Sequence, residues 1–251
     1  MNSVIVPRLR LAKGLQRPIV TRFPCFYQIG TPRSFSVTKA AMADTPQRHL
    51  QRPSIFVCDM QEKFRNAIWS FDKIILTAAK VLRAAQILKI PVYVTTQSAA
   101  KLGGTVSELQ ELTSDAISAD KTAFSMLRVP EIEAHYPSIA ANTSQKDVVE
   151  TAEVVIVGIE SHICVTQTTL DLLARGHKVY VLADGVSSCN REEIPVALAR
   201  LRAAGAVVTT SESWLYETMG DAAIPEFRDI AKLVKETSAD TKGVLSTLLG
   251  T

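Results

Sequence analysis

Three reactive side chains in this 251-residue sequence stand in comparable places, each just past a short apolar run. Asp59 follows the run 54–58. Lys121 follows the weaker run 116–119. Cys164 closes the segment Gly158-Ile159-Glu160-Ser161-His162-Ile163-Cys164, itself the continuation of an apolar run from Glu153. A carboxylate, an ammonium and a thiol brought together have a definite chemistry. A free thiol is mostly protonated at neutral pH, and a neighbouring cation or a helix N-terminus favours the thiolate. A carboxylate alongside can take the thiol proton and return it to a leaving group. The backbone N–H groups at the start of a helix can hold an oxyanion. Taken singly, each residue has a plainer reading: Cys164 as a buried structural thiol, Asp59 as a turn cap, Lys121 as a solvated surface lysine.

Those residues need elements to position them, and the sequence alternates strand and helix from about residue 54. The runs 54–58, 92–95, 116–119, 153–158, 178–182 and 206–210 read as strands. Between them, Ile74, Ala78, Val81, Ala85 and Leu88 recur at helical spacing, with Lys80, Arg83 and Lys89 outside that stripe and Pro91 marking the exit. Residues 164–174 read as a helix closed by Gly176. Asn190 with Glu193, and Thr105 with Glu108, have the spacing of N-terminal caps. Val129-Pro130 opens a short helix, and Ile224, Phe227, Ala231 and Val234 mark a last amphipathic one. Residues 238–251 are expected as a loose C-terminal tail. Strands alternating with helices imply an α/β fold with a mostly parallel sheet covered on both faces. In such a sheet, functional groups gather past the C-terminal ends of the strands, where Asp59, Lys121 and Cys164 all fall.

The net charge of +3 is a sum of two unlike parts. Residues 1–52 hold nine Lys/Arg and one acid, Asp44, and so carry +8; the remainder carries −5. A basic nucleic-acid-binding face on the body is therefore not expected. The first 43 residues lack acids, space their arginines among apolar, Ser and Thr residues, and have no secretory apolar core, which is the composition of a mitochondrial transit peptide. Arg33-Ser34-Phe35-Ser36 has the form of a matrix-protease site, and initiation at Met42 would leave a cytoplasmic product. No run approaches the length of a membrane span. Cys25, Cys58, Cys164 and Cys189 form no C-x-x-C pair and are expected as reduced thiols. Cys58 should point to the opposite face of its strand from Asp59 and fill the core. His162 reads as structural. Gln97, at the end of the second strand, reads as a substrate hydrogen-bond donor, and Phe64 as a pocket wall; Trp69 and Phe124 stay undecided.

The blocks Cys58-Asp59-Met60-Gln61-Glu62-Lys63-Phe64-Arg65, Lys121-Thr122-Ala123-Phe124-Ser125 and Gly158-Ile159-Glu160-Ser161-His162-Ile163-Cys164-Val165 together resemble the isochorismatase-like cysteine hydrolase superfamily, over roughly residues 54–235. The resemblance implies a Rossmann-like three-layer α/β/α sandwich with a six-stranded parallel sheet, in a domain spanning 53–237. It implies a triad of Asp59 as general base and acid, Lys121 as its cation and Cys164 as nucleophile. It also implies a cis peptide between Ile159 and Glu160 that aims the Glu160 N–H, with that of Cys164, at an oxyanion. The implied reaction is hydrolysis of a small amide-like carbonyl substrate, in a homo-oligomer (dimer or tetramer) without a cofactor. Family members that hydrolyse nicotinamide carry an Asp-x-His metal motif after the second strand; here that segment reads Thr95-Thr96-Gln97-Ser98-Ala99-Ala100, so no metal is implied. A nicotinamidase-type amidase, and an idle member of the fold acting as a binding or regulatory partner, remain the alternatives.

Overall fold

The computed structural model describes residues 47–139 and 150–250. The expected leader, 1–43, and Met42 lie outside the described residues. In chain order the elements are β1 (Pro53–Cys58), α1 (Phe71–Leu88), β2 (Val92–Gln97), the short α2 (Ala99–Leu102) and α3 (Ser107–Gln110), β3 (Ile117–Lys121) and α4 (Pro130–Glu133). They continue with β4 (Glu153–Ile159), α5 (Cys164–Ala174), β5 (Lys178–Ser187), α6 (Glu193–Ala203), β6 (Val207–Thr209), α7 (Ser211–Met219), α8 (Phe227–Glu236) and α9 (Ser238–Leu248).

All six strands pair in parallel, in the order β3-β2-β1-β4-β5-β6. The order reverses between β1 and β4, and the crevice at that switch point is where an open parallel sheet binds its ligands. Alternation along the strands divides the core in two. Ile55, Val57, Val155 and Val157 pack with α1, α7 and α8, whereas Phe56, Val154, Ile156 and Val181 pack with α4, α5 and α6. The result is the three-layer α/β/α sandwich with its six-stranded parallel sheet. No helix among the described residues is long and apolar enough to cross a membrane.

Several local expectations are corrected. Residues 238–248 are not loose: α9 packs on α1, and Lys80 of α1, expected outside the buried stripe, is buried beneath it with Nζ donating to Thr241 Oγ1 at 2.9 Å. Burial pushes the Lys80 pKa below the ordinary lysine value, while Asp184 and Glu212 pull it back up. β5 does not end at Leu182. It passes through a register irregularity opposite Ile156–Gly158 and runs on to Ser187, because the carboxylate of Asp184 is taken up by the Ser211 N–H and hydroxyl at the start of α7. Neither expected side-chain cap forms. Thr105 instead pairs with Gln61 in an isolated bridge, Glu108 turns to Arg65, and Asn190 uses its backbone carbonyl to accept from the Glu193 N–H. Helix α7 went unread in the sequence, since its nine residues give too little apolar periodicity.

Candidate active site

The site begins at the β1–β4 pair. Cys58 lies directly opposite Gly158 in the ladder. Gly158 has φ +115°, and a Cβ there would stand 2.1 Å from the Cys58 carbonyl oxygen, so only glycine lets the two strands meet here. The chain then diverges. After β1, Asp59 takes a left-handed conformation (φ 53°), its N–H donating to Thr95 O at 3.1 Å. After β4, the Ile159–Glu160 peptide is cis, and a short turn leads to Cys164 at the first position of α5.

The structure brings Asp59, Lys121 and Cys164 together. Lys121 Nζ is 2.7 Å from Asp59 Oδ2 and 3.8 Å from Cys164 Sγ. Asp59 is 1% exposed, Lys121 5% and Cys164 7%. Burial works against the Lys121 ammonium, but the neighbouring Cys58, Asp59 and Cys164 outweigh it and hold its pKa above the ordinary lysine value. Lys121 is therefore a cation at neutral pH. The second carboxylate oxygen of Asp59 accepts from Thr95 Oγ1 at 2.9 Å. With both oxygens engaged, the carboxylate is fixed in orientation, and a buried ion pair satisfied in this way avoids the penalty of an unpaired charge.

Gln97, expected as a substrate hydrogen-bond donor, stands beside Lys121. Its Oε1 accepts from Lys121 Nζ at 2.8 Å and its Nε2 donates to Thr122 O at 2.8 Å, so both ends of the amide serve to steady Lys121. Gln61 in turn fixes the Gln97 backbone: its Oε1 accepts the Gln97 N–H at 2.7 Å, and its Nε2 donates to the carbonyls of Gln97 and Gly103. Thr96 Oγ1 donates to Asp120 Oδ1 at 2.8 Å, beside Lys121. Phe64 packs, partly buried, against the core on the α1 side, and Trp69 against the core on the α5 side. Phe124 is 49% exposed and lines an open surface cavity of about 330 Å³ with Gln167 and Leu170. His162 Nδ1 lies 2.9 Å from Ser188 Oγ. Among the described residues, the N–H groups of Glu160 and Cys164 donate to no protein acceptor.

Cys58 fills the core as expected, on the same side of the sheet as Phe56, but it does not point away from Asp59. Strand alternation should turn its side chain away from the Asp59 side. The left-handed backbone at Asp59 breaks the alternation, and the Cys58 thiol faces the Asp59 carboxylate at 3.6 Å. The sulfurs of Cys58 and Cys164 and an oxygen of Asp59 lie within 4.8 Å of one another. These are metal-ligating atom types, but the Lys121 ammonium already occupies the carboxylate and opposes a second cation. Glu160, His162 and Cys189 form a second such group nearer the surface. Thr95, Gln61 and Cys58 were missed as parts of the site. Thr95 had a usable signal, since it ends an apolar run next to β1 and pairs with Cys58 across the ladder.

A buried carboxylate, ammonium and thiol at the switch point of a six-stranded parallel sheet, inside an α/β/α sandwich, define the class of the isochorismatase-like hydrolases. Comparison with known proteins agrees. The isochorismatase domain matches residues 53–213. The chain is 42% identical over 185 residues to the secreted isochorismatase effector Isc1 of Phytophthora sojae, covering 72% of this chain and 84% of that protein. It is 41% identical over 196 residues to isochorismatase domain-containing protein 2 of Xenopus laevis, covering 78% and 89%. The structure of MAR1 ribonuclease from Caenorhabditis elegans superimposes with a TM-score of 0.64 at 39% identity, covering 73% of this chain and 90% of that one. The chain belongs to the isochorismatase family of hydrolases.

Proposed function

We propose that this protein is a cysteine hydrolase acting on a small amide-like carbonyl substrate, with Cys164 as nucleophile, Asp59 as general base and acid, and Lys121 as the cation that binds both. The observation that carries this reading is the placement of one ammonium, Lys121 Nζ, 2.7 Å from a carboxylate and 3.8 Å from a thiol that opens a helix. Asp59 receives the Cys164 proton, and the sulfur attacks the carbonyl carbon. The free N–H groups of Glu160 and Cys164 donate hydrogen bonds to the carbonyl oxygen as negative charge develops on it. The proton then passes from Asp59 to the leaving nitrogen, leaving a thioester at Cys164. Water, deprotonated by Asp59, cleaves it and restores the thiol. Thr95 and Gln97 keep Asp59 and Lys121 in register for both halves.

The direct test is competitive labelling of the folded protein at neutral pH with a thiol-reactive probe. Cys164 is expected to label faster than the exposed Cys189. Equal or slower labelling of Cys164 refutes the activated nucleophile and favours an idle member that acts by binding. Stoichiometric zinc or iron on the purified protein would instead favour the nicotinamidase-type reading. The ribonuclease named in the Caenorhabditis elegans relative would ask the site to hold a phosphodiester. The body's charge of −5 supports a small carbonyl substrate over a polyanion. A homo-oligomer and a mitochondrial destination complete the proposal, the latter resting on the acid-free, arginine-bearing residues 1–43.

A further inference from the structure

One buried nucleophilic group in the site is left unused by the proposed hydrolysis: the Cys58 thiol. It is fully buried, and it shares the core on the α5 side of the sheet with Cys164. Its sulfur lies within 4.8 Å of the Cys164 sulfur and 3.6 Å from Asp59 Oδ2. We propose that Cys58 and Cys164 form a reversible dithiol centre, in which a hydroperoxide oxidises Cys164 and Cys58 resolves the product as a disulfide. The proposal rests on the reading of Cys164 as the reactive thiol, and it adds a role for a residue that reading does not need.

The structure assigns the order of events. Cys164 is 7% exposed where Cys58 is fully buried, and its sulfur lies 3.8 Å from the Lys121 nitrogen, so it meets the oxidant first. Its sulfur attacks one peroxide oxygen, the O–O bond breaks, and the departing oxygen leaves as an alcohol, or as water from hydrogen peroxide, once protonated. Cys164 is then a sulfenic acid, oxidised by two electrons, and the peroxide is reduced by two. Cys58 is held as the neutral thiol, since burial, then the hydrogen bond with Cys164 and the charge of Asp59, push its pKa well above the usual value, with Lys121 opposing. To react, it gives its proton to the Asp59 carboxylate. The Cys58 sulfur attacks the Cys164 sulfur, an S–S bond forms, the S–O bond breaks, and the hydroxide leaves as water with the proton from Asp59. Two thiols and one hydroperoxide thus yield a disulfide, an alcohol and water. Any dithiol reductant of adequate potential returns the pair to the reduced state. Without a resolving thiol, a sulfenic acid proceeds under further oxidant to sulfinic and sulfonic acids, which is irreversible for most proteins. The disulfide would take the nucleophile out of service reversibly and shield it from that loss.

The test uses the purified full chain, reduced and then exposed to hydrogen peroxide, with peptide mapping by mass spectrometry. In the wild type, a Cys58–Cys164 linked peptide pair lacking two hydrogens is expected, and dithiothreitol should restore both thiols. In Cys58→Ala the linked pair should be lost, and Cys164 should instead gain two or three oxygens that dithiothreitol does not remove; Cys58→Ser is the second variant if the first folds poorly. The proposal is overturned if wild-type Cys164 over-oxidises as fast as it does in Cys58→Ala, or if Cys164 pairs with Cys189 instead. Iodoacetamide alkylation of the reduced protein separates this outcome from failure of the hydrolase reading. Fast alkylation of Cys164 without a Cys58–Cys164 link overturns the dithiol centre alone; absence of both overturns the two together.

Discussion

Replacing Lys121 with methionine removes the ammonium and keeps most of the side-chain volume, so it isolates the charge. The Lys121 nitrogen lies 3.8 Å from the Cys164 sulfur. Coulomb's law at that separation, with an effective dielectric constant of about 20, gives roughly 4 kcal/mol in favour of the sulfur anion. At about 1.4 kcal/mol per factor of ten, this is on the order of 10³ in the rate of a step that builds negative charge on that sulfur in its transition state. Part of it is recovered as the protein relaxes and water enters, so Lys121→Met should slow the reaction of Cys164 with acrylamide at pH 7 by about 10²–10³-fold. The same change strands the Asp59 carboxylate, 1% exposed, without its cation, at a cost of about 3–5 kcal/mol in urea unfolding. The assay is the rate of adduct formation at Cys164 by peptide mass spectrometry, with Cys189 as internal reference. A Cys164 rate within about threefold of wild type, below the roughly fivefold that 1 kcal/mol would give, refutes Lys121 as the electrostatic partner of the thiol.

Asp59→Asn keeps the shape and removes the base; turnover of an amide substrate at pH 7 should fall by about 10²–10⁴-fold, measured as kcat/KM. Gly158→Ala forces a Cβ to 2.1 Å from the Cys58 carbonyl oxygen at φ +115°, and urea unfolding should show a loss of at least about 3 kcal/mol or no folded protein. Arg65 pairs with Glu62 and Glu108 across the loop that follows Asp59 and, with the Ser107 hydroxyl and the Glu108 N–H, holds the Glu108 pKa at about 2, below the ordinary 4.5. A depressed carboxylate contributes stability above the ordinary value and loses it as pH falls toward the depressed one. Arg65→Ala should therefore flatten the fall in stability between pH 4.5 and about 2, and cost no more than about 1 kcal/mol at pH 7 because the pair is largely solvent-exposed. Urea titrations across that pH range check both parts.

The parallel sheet and the positions of Asp59, Lys121 and Cys164 were legible because apolar runs and strand ends are local signals. Helix α5 was read with both of its ends correct, Cys164 and Ala174, because an apolar stripe and Gly176 bound it. What escaped depended on contacts between distant segments. Lys80 reads as a surface lysine until α9, some 160 residues later, comes to lie over it. The contacts of Gln97 with Lys121 and Thr122 join segments about 25 residues apart and leave no local signal. Cys58 is core, as its strand position implies, but the Asp59 carboxylate comes to the same side because strand alternation holds only while the backbone is extended, and Asp59 leaves that region at φ 53°. The sequence does not announce that turn: a left-handed Asp is tolerated more readily than most residues but is not signalled by type alone.

The central claim is that Cys164 carries the chemistry. A panel of small amides and related carbonyl compounds, assayed with wild type and Cys164→Ala side by side, tests it most directly. Hydrolysis by the wild type that is lost in Cys164→Ala, with a substrate-derived acyl group trapped on Cys164 in acid-quenched wild-type protein, is the predicted result. Hydrolysis that survives Cys164→Ala undiminished would contradict it.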